Sequence, residues 1–381
     1  MLKSWQKLQE YPDMKHCFFV PCDSHGIQLL IKDLLHIPSL KVLHDQAQAI
    51  VKAFKKAPLQ YARLRDYQVQ TYGFKQALCL SVITRWGTQF RLIDSVLKNK
   101  KALRRYAFDH QPNDLAYDEH EYIMSSDFWA ALEPLHELVQ PIDETLKMSE
   151  SNKASLDLVL GRWASIHGHL TRMKSNFQFL DEFLTQDSTF QTRFARQVHS
   201  IHIVAFYLTP ANHDVPMDAK NEVKVFAFFS QYMSADDAKT LRTEFLYYRN
   251  QLPPFENTRV CWEHADEPRI FWLMQMEHTK IIGKFGVRIH STPANSVPSE
   301  RAHATWSLIH TKLCNSLKSE RVNKLTYTYI NDRILHGVQN DQYRSPHTLS
   351  TVEEVEIEET MLENEEADSE EMEVSDSELL N

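Results

Sequence analysis

Along most of the chain apolar residues recur every three or four positions, the period of a helix with one buried face. Ile27, Leu30, Ile31 and Leu34 fall at i, i+3, i+4 and i+7, which predicts a helix from near Ser24 to just before Pro38. Leu43, Ala47, Ile50 and Phe54 repeat the pattern in a second helix that Pro58 ends. Phe90, Ile93 and Leu97 mark the apolar side of a third, whose C-terminal half carries Lys98, Lys100, Lys101, Arg104 and Arg105. Helical patterning then runs from about 126 to 250, clearest in FWAALEPLHELVQPIDETLKMSE and HSIHIVAFYLTP. Residues 251–269 read as a connecting loop ahead of IFWLMQMEHTKIIGKFG. HCFFVP, residues 16–21, breaks the helical period: a short apolar run closed by proline predicts one buried strand.

A last long helix is predicted from TPANSVPSERAHATWSLIHTKLCNSL, residues 292–317. Ala302, Trp306, Ile309, Leu313 and Leu317 form its apolar stripe, suited to a core or a subunit interface, and Glu300, His303, Ser307 and His310 fall on the other side. Ser296 is placed to cap the helix start, and Pro298 fits the first turn, where a missing N–H costs nothing. Glu300 has two readings at this point: a first-turn acid favoured by the helix dipole, or a carboxylate with chemistry to do. From 346 onward the chain is strongly acidic, repels itself and is expected to be disordered. No repeat with a period of 20 to 50 residues is present.

Composition sharpens the helical reading. Glycine contributes only 8 of 381 residues, far below the usual share of about 7%, so tight turns are scarce and the chain is mainly α. Five scattered cysteines, an odd number, suit a reducing compartment better than a disulfide framework. No apolar stretch approaches the roughly 18 residues of a membrane span. A soluble intracellular protein is expected, with neither a membrane nor a small-molecule substrate as partner. Residues 353–378 hold fourteen acids and no Lys or Arg, so removing them turns the formal net charge of −9 into +5 for the remaining body. A mildly basic body is compatible with a polyanion partner.

Three blocks of the sequence carry a family resemblance. FFVPCDSHGIQLLIKDLL looks like the CxxH segment of hAT-superfamily DNA transposases, and ITRWGTQFRLIDSVLKNKKAL looks like their TRW segment. TPANSVPSERAHATWSLIHTKLCNSLKSERVNKLTYTYIN resembles their C-terminal dimerisation block. The three occur in the family's order and at about its spacing, spanning nearly residues 5–340. The resemblance implies an RNase H-like α/β core interrupted by a large all-helical insertion. Residues 1–37 would be the remnant of that core, 38–285 the helical insertion, 286–345 the core helix and dimerisation region, and 346–381 the acidic tail.

The family's chemistry uses two aspartates and a glutamate to hold two Mg²⁺ ions that cut and join DNA, and the resemblance makes Glu300 the third acid. Both aspartates precede the CxxH segment in the family, whereas the 21 residues before Cys22 contain only Glu10 and Asp13 as acids. The first strands of the core are missing as well. One carboxylate does not hold two metals, so this chain is expected to use no cofactor and to cut no DNA. The resemblance further implies DNA contacts by Cys22, His25, Arg85 and Trp86, with Trp86 stacking on a base, and the charge of the basic run itself suits Lys98, Lys101, Arg104 and Arg105 to tracking phosphates. Each has a plain alternative: a buried thiol beside a helix start, a core tryptophan, a solvated helix face. Cys22 and His25, with His16 and Cys17 nearby and Cys261 and His264 far off, lack zinc-finger spacing, and no metal is assigned to them.

The reading that results is a truncated hAT-like protein that dimerises through Trp306, Ile309, Leu313 and Leu317, binds DNA, and resides in the nucleus. One alternative is a fragment of a complete Mg²⁺-dependent transposase whose N-terminal part lies outside this chain. Another is a host-recruited DNA-binding regulator.

Overall fold

A computed structural model of the chain describes residues 5–340 apart from 6, 9, 15, 83–86, 111–113, 152–153, 186–187 and 311–316, with side chains except at 301, 308 and 333–340. The described residues are mainly helical. In chain order the helices are α1 (Asp23–Leu35), α2 (Pro38–Lys55), α3 (Pro58–Tyr72), α4 (Thr88–Lys98), α5 (Lys100–Asp109) and α6 (Tyr117–Met124). They continue with α7 (Ser126–Glu150), α8 (Leu156–Arg172), α9 (Phe179–Phe183), α10 (Thr189–Gln197), α11 (Ser200–Leu208) and α12 (Ala219–Tyr232). The last are α13 (Ala235–Arg249), α14 (Pro268–Gln275), α15 (Ile282–His290), α16 (Val297–Ile309) and α17 (Ser319–Asn340). Two compact units result: the described residues of 1–36 and 137–316 make unit 1, and those of 37–136 and 317–340 make unit 2.

Proline sets the early boundaries as the pattern predicts. Pro38 and Pro58 each open a helix in the first turn, and the residue before each leaves helical geometry. The strand predicted over 16–21 does not form, and residues 17–22 are irregular. Their apolar side chains find rings rather than a neighbouring strand. Phe18 meets Tyr232 edge-on with centroids 4.9 Å apart, and the Arg288 guanidinium lies 4.1 Å above its face. The one backbone pairing of sheet type among the described residues is an isolated bridge between Ser155 and Pro293.

Unit 1 is built around α11, which packs on α8, α12 and α15 and is apolar on nearly every side. Trp163 of α8 and Val204 of α11 are fully buried there. A second cluster joins Tyr248, Phe255, Trp262, Phe271 and Trp272, and the Trp272 indole N–H donates to the Leu208 carbonyl at 2.8 Å. Helix α15 can approach α14 because Gly286 has no Cβ: one added there would lie 2.7 Å from Cδ1 of Trp272. The start of α15 is closed by Glu244, whose carboxylate accepts from the N–H groups of Lys280, Ile281 and Ile282 at 2.6, 3.0 and 2.9 Å.

Unit 2 packs α2 against α3, α4 and α6, and α3 against α5. The single helix predicted from Phe90 through Arg105 is two helices. Asn99 ends α4 and begins α5, with its amide N–H on the Ser95 carbonyl at 2.9 Å and its Oδ1 accepting from Gln68 at 2.7 Å. A short polar side chain thereby competes with the helix backbone. The Tyr72 hydroxyl then accepts from the backbone N–H groups of Lys101 and Ala102 at 3.1 and 3.2 Å, serving the first turn of α5. Residues 75–82 have no regular structure but are clasped by side chains. Gln68 binds both backbone groups of Gln76, Ser95 binds the Cys79 N–H, and Thr88 binds both backbone groups of Val82.

The last long helix is shorter than predicted. Helix α16 closes at Ile309, where the His310 N–H bonds the Trp306 carbonyl at 2.8 Å while His310 itself leaves helical geometry. Leu317 therefore lies outside it, and Leu313 is outside the described residues.

Candidate functional site

The start of α1 and the segment leading into α16, some 270 residues apart in sequence, meet inside unit 1. The Asp23 N–H donates to the Ala294 carbonyl at 3.0 Å, and the Ser296 N–H donates to the Cys22 thiol sulfur at 3.4 Å. Asn295 fixes the segment further: its amide donates to the Ser149 carbonyl, and its Oδ1 accepts from the Val297 N–H at 3.1 Å. Ser149 in turn donates its hydroxyl to Ser24 at 2.9 Å. Gly26 lets α10 join: a Cβ there would lie 2.8 Å from Cδ of Gln197, whose amide donates to the Pro21 carbonyl at 3.3 Å.

Asp23 anchors the junction. Its side chain is fully buried, with Arg162 at 2.9 Å on one oxygen and the Trp163 indole N–H at 3.1 Å on the other. Burial pushes the carboxyl above its ordinary value, and Arg162 and Trp163 pull part of that rise back. Removing one partner of such a pair strands a buried charge at a cost of about 3–5 kcal/mol. Asp23 lay within the CxxH block as an ordinary helix-start acid, and nothing in the sequence marked its partners 139 and 140 positions away.

Glu300 sits one turn into α16 and is exposed. Its Oε1 accepts from the Ser296 hydroxyl at 2.5 Å. Ser296 is thus occupied with Glu300 and makes no side-chain cap to the helix backbone, contrary to the capping role predicted for it. Pro298 stands in the first turn as expected. The family's two Mg²⁺ ions would need several convergent oxygen donors. Here Asp23 is committed to Arg162, and Glu300 has beside it one hydroxyl, so the donors present do not fit two such ions. Among the described residues no three His, Cys, Asp or Glu side chains form a group that could hold a metal ion.

The two C-x2-H pairs do not assemble. Cys22 is half-buried and receives the Ser296 N–H, while His25 is exposed three residues on. Cys261 is buried against the Gln275 amide at 2.9 Å, whereas His264 bonds Glu267 at 3.0 Å. Cys17 contacts Met14 and His16.

Arg85 and Trp86 lie outside the described residues. In the basic run, Lys101, Arg104 and Arg105 share one side of α5, and Lys98 ends α4. Lys98, Lys101, Arg104 and Arg105 are all exposed, together with Phe108, which is 68% exposed. Lys98 pairs with Asp94 at 2.6 Å, and Arg105 reaches Asp109 at 3.9 Å and covers the Tyr67 ring at 5.4 Å. Trp306 and Ile309 are half-buried on α16, and the Trp306 ring stacks on His310 with centroids 4.7 Å apart. Leu317 is not on that helix. No helix of the described residues is long and apolar enough to cross a membrane. No family model and no curated protein matches the chain.

Proposed function

We propose that this chain derives from a hAT-type DNA transposase and works as a self-associating, nuclear DNA-binding protein that does not cut its target. One observation carries the reading. The block resembling the family's CxxH segment and the block resembling its glutamate-bearing helix lie together, joined by the Cys22–Ser296 and Asp23–Ala294 hydrogen bonds. That contact is what a core interrupted by a helical insertion would leave at its seam. The RNase H-like ancestry of the seam belongs to the same proposal.

The seam offers structure more than chemistry. Its one exposed acid, Glu300, is engaged by Ser296, and its buried acid is neutralised by Arg162. DNA contact falls instead to the exposed cations of α4 and α5, which meet phosphates without reading bases. Trp306 and Ile309 are the residues of α16 assigned to self-association.

Light scattering at high micromolar concentration tests the first half: a dimer or larger species is expected, and a clean monomer contradicts it. Titration with duplex DNA over a range of salt tests the second. If two to four of the cations at Lys98, Lys101, Arg104 and Arg105 meet phosphates, log affinity falls against log salt with a slope of about −2 to −4. Replacing Lys101 and Arg104 by Glu should flatten that slope. Binding that ignores salt, or an unchanged slope in the variant, contradicts the assignment.

A further inference from the structure

The exposed face of α5 has a chemistry that matches one other part of this chain. Lys101, Arg104, Arg105 and Phe108 stand at i, i+3, i+4 and i+7, so they share one side of the helix, with Lys98 just before it. Lys101 and Arg104 have no side-chain partner among the described residues; the Arg105–Asp109 pair is exposed and exchanges partners at little cost, while Lys98, itself exposed, pairs with the half-buried Asp94. Phe108 adds an apolar surface that a bare phosphate backbone does not require.

Residues 353–378 supply the complement. They carry fourteen carboxylates and no Lys or Arg, and they interleave Val355, Ile357, Met361, Leu362, Met372 and Val374 among the acids. Alternating acids and aliphatics suit a face that alternates cations with an exposed ring. The tether is long: α17 ends at Asn340, and the 13 residues from there to Glu353 extend up to about 45 Å. Tethering makes the encounter intramolecular, with an effective concentration on the order of millimolar, so that weak contacts occupy the face.

The geometry points to autoinhibition: residues 353–378 of this chain dock on the α5 face and exclude DNA from it. The exclusion rests on the DNA reading proposed above; the docking does not. A water-soluble carbodiimide, which joins a carboxylate to a touching amine without a spacer, tests the docking in the full-length chain. Amide bonds are expected from Lys98 or Lys101 to acids within 353–378. In a mixture of isotopically light and heavy protein they should stay within one copy. They should vanish in about 1 M salt, where screening acts within about 3 Å, and in the variant Arg104→Glu, Arg105→Glu, which keeps both amines. Bonds absent, or found only between copies, overturn the inference.

A full-length variant with those fourteen acids replaced by Gln and Asn gives the second readout. If the tail fills nine-tenths of the faces, duplex DNA binds this variant about tenfold more tightly than the native chain at low salt. Equal affinity without tail cross-links removes the inference and leaves DNA binding standing. Intramolecular cross-links in a protein that binds no DNA in either form retain the docking and remove the DNA reading.

Discussion

His202 is a base held where a charge is not tolerated. It is fully buried in the first turn of α11, its Nδ1 accepts the His199 N–H at 3.0 Å, and its Nε2 has no hydrogen-bond partner among the described residues. Burial foremost, and then the nearby His199, pull its pKa from 6.5 down to about 3. The unfolded chain takes up this proton below 6.5 and the folded chain does not, so the stabilising contribution is present above 6.5 and is lost as pH falls toward 3. Asn at this position retains an acceptor for the His199 N–H and does not titrate. Urea denaturation should therefore show the native chain losing about 1.4 kcal/mol more per pH unit than His202→Asn between pH 6 and 4. Parallel pH profiles would contradict the burial argument. His290 pushes the same way: it is also buried, its pKa is lowered by burial, and Asp157 at 3.9 Å offsets part of the effect.

At the scale of helices, Gly286 tests the packing most simply. Gly286→Ala places a methyl group against the Trp272 indole, which is itself tied to the Leu208 carbonyl and cannot swing away. The loss of fit should exceed the alanine's helix-propensity gain and lower stability by about 1–3 kcal/mol. Denaturation that is unchanged or improved would show that α14 and α15 do not approach this closely. The same scale shows what the sequence made legible. Periodicity and proline located α1, α2 and the ends nearest Pro38 and Pro58, because those signals are local. The break at Asn99 was missed because the Gln68 side chain that holds the Asn99 amide against the Ser95 carbonyl lies 31 residues away in sequence. Residues 16–21 have strand-like composition but no partner strand, and Phe18 satisfies itself on Tyr232 and Arg288 instead. At the seam, Cys22 and Glu300 could be picked out from their motifs, whereas the Asp23–Arg162 pair has no sequence signature at any period.

For the molecule as a whole, charge is divided rather than balanced. Fourteen acids lie between residues 353 and 378, and the body without them is net positive by five. In the proposed reading counterion release drives that body onto phosphate, with affinity that depends on salt and little on sequence. Catalysis would need convergent carboxylates, and the seam instead presents Glu300 with one serine hydroxyl. The most direct measurement incubates the purified 381-residue chain and its Glu300→Gln variant with supercoiled plasmid and Mg²⁺, followed by electrophoresis before and after removal of protein. The account predicts retarded but uncut plasmid, identical for both proteins. Nicked circles formed by the native chain and absent with Glu300→Gln would contradict it.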